Sequence, residues 1–205
     1  MPRAKQRTPE LRDRVLDAAV AVLVSEGVGG FTTRRIAQEA DTSLPAVYEL
    51  FGDKAGLVRE VFFGGFRRLD RHLAQTEESG DARADLEAAF VAFRRFVVAN
   101  PVLAQVMFSR PFADFDPGPS ELAAGAATRE FVVRRVRRGI EAGLIRGDET
   151  DIAHILLALA QGLAAQESAG WLGTSQASRD RRWALAVRTA LDGLAAAPPV
   201  SSAGG

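Results

Sequence analysis

Residues 42–57 read TSLPAVYELFGDKAGL and hold the only tyrosine of the chain, Tyr48, together with one of its two lysines, Lys54. The polar groups here are hydroxyls, a phenol and an ammonium, a set that binds rather than breaks covalent bonds. Thr42 and Ser43 stand just before an apolar stretch that tolerates Pro45 in its first turn, which is the pattern of a helix N-terminus. Hydroxyls and unpaired backbone N–H groups at such an end suit phosphate oxygens. Pro45 and Ala46 offer a small, flat apolar surface of the kind that packs on a thymine methyl group. Tyr48 has an aromatic body and a hydroxyl long enough to reach a phosphate or a base edge, and Lys54 supplies a point charge.

The rest of the chain narrows the possibilities. There is no cysteine, so disulfides, thiolate catalysis and cysteine-based zinc sites are excluded. His72 and His154 are too far apart in sequence to pair at helical spacing, no carboxylate or Ser/Thr motif forms a convergent catalytic set, and neither a metal nor a cofactor is expected. The reading is of a non-enzyme. Apolar residues make up 47% and charged residues 25%, the balance of an ordinary globular protein. No apolar run approaches the ~20 residues that span a membrane, and MPRAKQR has no signal-peptide core, so a cytoplasmic protein with no membrane partner is expected. Formal net charge is zero, yet residues 1–35 carry seven basic side chains against four acidic ones.

Helical periodicity runs through almost every segment, and no alternating β-branched run reads as a strand. Thr8-Pro9-Glu10 is a helix start, with an N-cap hydroxyl, a proline in the first turn and an acid facing the positive end of the dipole. Leu11, Val15, Ala18 and Val22 form one apolar stripe until Gly27, Gly29 and Gly30 end the helix. Thr32 or Thr33 caps a short second helix that buries Ile36, Ala37 and Ala40. Asp41-Thr42-Ser43 is a tight turn into a third, and Gly52-Asp53 starts a longer fourth. Three short helices with a three-to-four-residue turn between the second and third make a helix-turn-helix, whose later helix enters the DNA major groove by its N-terminal end.

The span from Phe31 to Phe62, FTTRRIAQEADTSLPAVYELFGDKAGLVREVF, resembles the DNA-binding head of the TetR family of bacterial transcriptional regulators. Thr32-Thr33, Ile36-Ala37, Tyr48 followed by Phe51, and Lys54 to Leu57 carry the likeness. The resemblance implies phosphate contacts from Thr32 or Thr33, Thr42, Tyr48 and Lys54. It implies base contacts from Arg34, Leu44, Pro45 and Ala46, with Phe51 in the core. Two positions depart from the family pattern: Asp41 replaces a common turn glycine, and Glu49-Leu50 follow the tyrosine. It further implies an all-α protein with about nine helices, a double-stranded operator that is palindromic or nearly so, a homodimer, and a repressor released by a small apolar or aromatic effector. A ligand-independent DNA-binding regulator acting through protein partners is the alternative.

The expected organisation is a basic arm (1–7), a helix-turn-helix domain (8–52), a connecting helix (53–75), a helical effector-binding and dimerisation domain (83–195) and a flexible tail (196–205). Phe66, Phe93, Phe96, Met107, Phe108, Phe131 and Trp171, with His154 and Gln161, are candidates to line an apolar pocket. Residues 151–165 are apolar nearly all round, which implies burial on both sides. Ala158, Gly162 and Ala165 would let a second helix approach, and Trp183, Val187, Leu191 and Leu194 would complete a dimer interface. In RRVRRG, from Arg134 to Gly139, the i, i+4 acid–arginine pairs predict a solvated helix face rather than a second nucleic-acid surface.

Overall fold

A computed structural model describes residues 9–195 except 110, 113, 114 and 117. The expected basic arm, the Thr8 cap and the tail lie outside the described residues. Among these residues the fold is all-α, with one isolated bridge between Ile145 and Ala195 and no strand. Ten helices follow in order: α1 (Pro9–Gly30), α2 (Thr33–Glu39), α3 (Leu44–Phe51), α4 (Lys54–Leu73), α5 (Ala82–Ala99), α6 (Pro101–Phe108), α7 (Pro119–Ala123), α8 (Ala126–Glu141), α9 (Glu149–Ser168) and α10 (Gln176–Leu194). The ten compare with about nine expected.

The chain forms two compact units. Among the described residues, the first takes Pro9 to Leu69 and again Ala99 to Gly125; the second takes Asp70 to Val98 and Ala126 to Ala195. Residues 99–125 therefore pack with the head, whereas the expected boundary put them in the body.

In the first unit, α1 buries Leu11, Val15, Ala18, Ala19, Val22 and Leu23, the expected stripe. Gly27, at φ 68° and ψ −167°, breaks its helical geometry. Thr32 caps α2, its hydroxyl accepting from the Arg35 N–H at 3.2 Å. α2 ends in a Schellman motif: the Thr42 N–H reaches Ala37 O at 2.9 Å, and the Asp41 N–H reaches Gln38 O at 3.2 Å. That closure needs a left-handed residue, and Asp41 supplies it at φ 47°, the only non-glycine described with positive φ. Ser43 caps α3 by accepting from the Ala46 N–H at 3.3 Å, and Asp53 opens α4 by accepting from Gly56 N–H at 2.7 Å. Gly56 is required by packing: a Cβ there would run into the Phe51 carbonyl.

In the second unit, Leu86, Phe90, Phe93, Phe96 and Val97 of α5 are buried, as are Phe131, Val132 and Val136 of α8 and Ile152 and Leu156 of α9. RRVRRG divides: Arg134 and Arg137 are exposed, as a solvated face requires, with Arg134 4.0 Å from Glu130. Arg137 pairs with Glu149 at 2.7 Å, and Arg135 and Arg138 leave that face. Arg135 is only 3% exposed, its guanidinium 3.6 Å from the Phe131 ring centroid and donating to Thr76 O at 3.2 Å. Burial lowers its pKa from the ordinary value. Arg138 pairs with Glu78 at 2.6 Å and with buried Asp85 at 3.0 Å. These cations staple α8 to the segment before α5, a long-range role that local spacing does not encode.

The turn makes a stability prediction. Asp41→Val should unfold about 1–2 kcal/mol more easily than Asp41→Gly, because a β-branched side chain is strained at positive φ. Urea denaturation followed by circular dichroism measures this, and equal stabilities would show that the left-handed turn imposes no constraint.

Candidate nucleic-acid interface

Val47 and Phe51, one turn apart, point α3 inward. The opposite face is thereby outward: Pro45, Tyr48 and Glu49 are exposed, and Leu44 and Ala46 are half-buried. Tyr48 is 44% exposed, and its hydroxyl lies 3.2 Å from the Thr33 hydroxyl across the gap between α3 and the start of α2. Two residues fifteen positions apart thus present adjacent hydroxyls from two helices, a geometry that suits one phosphate. Thr32 and Ser43 accept at their caps through oxygen, which leaves each hydroxyl proton to donate outward. Lys54, at the first turn of α4, is exposed.

Thr42 departs from the expected contact set. Its N–H is consumed by Ala37 O, and its Oγ1 is buried with no hydrogen-bond partner. The Schellman closure turns this residue inward, so as placed it offers a phosphate nothing.

The two neighbouring arginines are sharply different. Arg35 reaches Glu26 at 2.7 Å and Glu39 at 2.8 Å, and these carboxylates hold its pKa above the ordinary arginine value. Arg34 is exposed and makes no hydrogen bond or ion pair with another described residue. Of the pair, Arg34 is the one available to a guanine edge.

A residue that sequence reasoning missed places the whole face. Arg12 of α1 donates to Leu50 O at 3.0 Å, pairs with Glu60 of α4 at 2.8 Å, and sits 4.8 Å from the centroid of the Phe51 ring. One guanidinium thereby satisfies a C-terminal carbonyl of α3, neutralises a carboxylate of α4 and covers the aromatic wedge between them. Its spacing in α1, next to buried Leu11, carries no signal of that role.

The candidate pocket residues are divided between the units. In the second unit a cavity of about 30 Å³ is lined by Leu73, Phe90, Phe93, Phe131, Leu156 and neighbouring apolar side chains. Of the candidates only Phe93 and Phe131 line it. Phe96 is buried with its ring 5.9 Å from that of His72. Phe66, Met107 and Phe108 belong to the first unit, where Phe66 meets Phe62 at 5.0 Å and Phe108 at 5.9 Å, and where a Cβ at Gly65 would strike Met107. His154 is exposed and its Nδ1 donates to its own helix at Thr150 O, 2.8 Å away. Gln161 is half-buried outside the cavity lining, and Trp171 is 78% exposed.

The dimer candidates separate by helix. On α9, Ala158, Gly162 and Ala165 are all exposed, with Ile155 beside them at 57%. The expected burial of α9 on both sides is therefore one-sided within a single chain. On α10, Trp183, Val187 and Leu191 face the chain's own core, and Leu194 is half-buried. Trp183 donates through Nε1 to Glu167 at 2.7 Å, and Arg94 binds the same carboxylate through two nitrogens at 2.8 Å. Within one chain this network fixes Trp183 inward; the large apolar side chain exposed on α10 is Leu185.

The head and body each match a family model: bacterial regulatory proteins of the tetR family over residues 15–61, and the tetracyclin repressor-like C-terminal domain over residues 86–190. The chain belongs to the TetR family. It is 31% identical over 109 residues to the nucleoid occlusion factor SlmA of Aliivibrio fischeri, covering 51% of this chain and 54% of that one, so the chain spans about half the length of this relative. It is 28% identical over 160 residues to the HTH-type transcriptional repressor SCO4008 of Streptomyces coelicolor, covering 75% and 79%. A solved structure of a Rhodococcus sp. RHA1 protein of unknown function superposes with a TM-score of 0.78 at 30% identity, over 95% of this chain and 100% of that one.

The contrast between the arginines yields the next prediction. Arg34→Ala should cost about 1–3 kcal/mol at a single operator position and little elsewhere. Affinities across a set of single-base operator variants check this, and a uniform loss over all variants would assign Arg34 to phosphate.

Proposed function

We propose that the protein is a homodimeric repressor that binds a palindromic or near-palindromic operator and leaves it when a small apolar effector occupies the body. The observation that carries the DNA reading is the paired Thr33 and Tyr48 hydroxyls, 3.2 Å apart, with Arg34 exposed next to Thr33 in the chain. Thr32, Ser43 and Lys54 add phosphate contacts in this reading, while Leu44, Pro45 and Ala46 pack on base edges rather than hydrogen-bond to them. Homodimerisation is supported by the exposed small-residue stripe of α9, with Ile155 alongside and Leu185 on α10. Among the described residues no single helix is long and apolar enough to cross a membrane, and the proposed site of action is the cytoplasm.

Release follows from population shift: an effector moves the equilibrium only by its differential affinity for the DNA-competent and DNA-incompetent states. The lining around Phe93 and Phe131 is apolar, which sets the effector class. Its size sets a condition. A cavity of about 30 Å³ holds two or three waters at ~10–15 Å³ each, far below the ~300–1,000 Å³ of ligand sites. An effector that enters at this cavity must therefore open it, and in this reading that opening is the structural change coupled to release. The same small volume favours a second reading, a ligand-independent regulator that acts through protein partners.

Fluorescence anisotropy against the DNA upstream of the gene, in a salt series and beside Tyr48→Ala, tests the proposal. Sequence-dependent binding tighter than about 10⁻⁸ M, a steep salt slope and a loss of at least ~10-fold in the mutant are expected. Weak binding that is equal on all sequences and unchanged in the mutant would remove the interface described above.

A further inference from the structure

Phe112 lies between α6 and α7, outside the helix-turn-helix in sequence, yet it belongs to the head's compact unit. It is 6% exposed. Its ring centroid lies 5.0 Å from that of Phe31, a fully buried residue that directly precedes Thr32 and Thr33. The Lys54 ammonium stands 5.8 Å from the centroid of the same ring. One aromatic side chain thus meets the residue that leads into α2 and the cation that opens α4, and these two helix starts carry the proposed phosphate contacts.

The segment that bears Phe112 is fixed to α4 at further points. Phe115 packs on Phe62 with centroids 5.6 Å apart, and buried Glu121 pairs with Arg59 at 2.5 Å. Burial would raise the Glu121 carboxyl pKa, but its own backbone N–H, Arg59, Ser120 and the Gly118 N–H outweigh that, so its pKa sits below the usual carboxylate value.

We infer that Phe112 is a positioning residue for operator binding: its ring, packed at a tilt against Phe31, holds the Lys54 ammonium at the α4 start. This inference rests on the DNA-binding reading of the head. The physical basis is the negative face of the aromatic ring, which attracts a cation within ~6 Å. A lysine stem samples many rotamers in solution. Holding its head group near where a phosphate will lie removes part of the ordering cost of binding. Lys54 keeps its remaining N–H donors for the phosphate.

The test is a double-mutant cycle in the full-length protein, using operator DNA bound by the wild type and a salt series for each variant. Phe112→Leu retains an apolar side chain against Phe31 but removes the ring, and Lys54→Met removes the charge but keeps the stem. Lys54→Met should lower the slope of log K against log salt by about 0.9, one phosphate contact. Phe112→Leu should weaken binding about 2–5-fold while Lys54 is present and add nothing once position 54 is methionine. Equal losses in both backgrounds, or none, would make Phe112 a packing residue only and overturn the inference. If Phe112→Leu fails to fold, replacing Phe112 by trifluorophenylalanine keeps the ring's shape while drawing electron density from its face. Weaker binding at an unchanged melting temperature is then expected, and unchanged affinity overturns the inference. A wild type that binds all DNA alike removes the DNA-binding reading itself, and the inference with it.

Discussion

The recognition surface depends on one guanidinium. α3 is only eight residues long, too short to be stable alone, and it buries just Val47 and Phe51. Arg12 holds it from behind by binding Leu50 O, by covering Phe51 and by pairing with Glu60 of α4. The Schellman turn at Asp41 fixes the other end. With both ends tied, the outward positions of Pro45, Ala46 and Tyr48 follow from helical periodicity alone. A carbonyl satisfied by a charged donor is worth more than one satisfied by a neutral group, so a single side chain can orient so short an element.

Much of the head was legible in the sequence because its signals are local. Caps at Thr32 and Ser43, the break at Gly52, the i, i+4 stripe of α1 and the inward Phe51 all report on neighbours within a turn or two. What escaped was long-range. Arg12 acts on residues thirty-eight and forty-eight positions away, and nothing in its neighbourhood distinguishes it from a solvated arginine. The Thr42 hydroxyl was assigned to phosphate because threonine precedes a helix start, but the turn that makes that start also rotates the side chain inward. Arg34 and Arg35 are indistinguishable in sequence. Only the spatial position of Glu26 and Glu39 decides which of them is already paired.

The body was less legible for a related reason. An aromatic residue on an apolar stripe can face a cavity, a core or a partner, and spacing does not choose among them. Trp183, Val187 and Leu191 have the periodicity of an interface, yet the Glu167–Arg94 network draws that face inward and leaves the α9 stripe outside. Trp171 and His154 seemed suited to a pocket by residue type, but a short loop and a backbone carbonyl place them at the surface. Residues 99–125 were assigned to the body by order along the chain, whereas Phe112, Phe115 and Glu121 pack them with the head. At an apolar cavity that holds two or three waters, a ligand acts only if its differential affinity exceeds the cost of opening that cavity.

The central claim is that two copies of the head read two related half-sites through α3. Selection of bound sequences from random duplex DNA by the purified full-length protein tests it without any assumption about the operator. The account predicts enrichment of an inverted repeat whose half-site centres lie about 10–10.5 base pairs, or a multiple of that, apart. Selection that converges on a lone half-site, on a direct repeat, or on no sequence at all would contradict it.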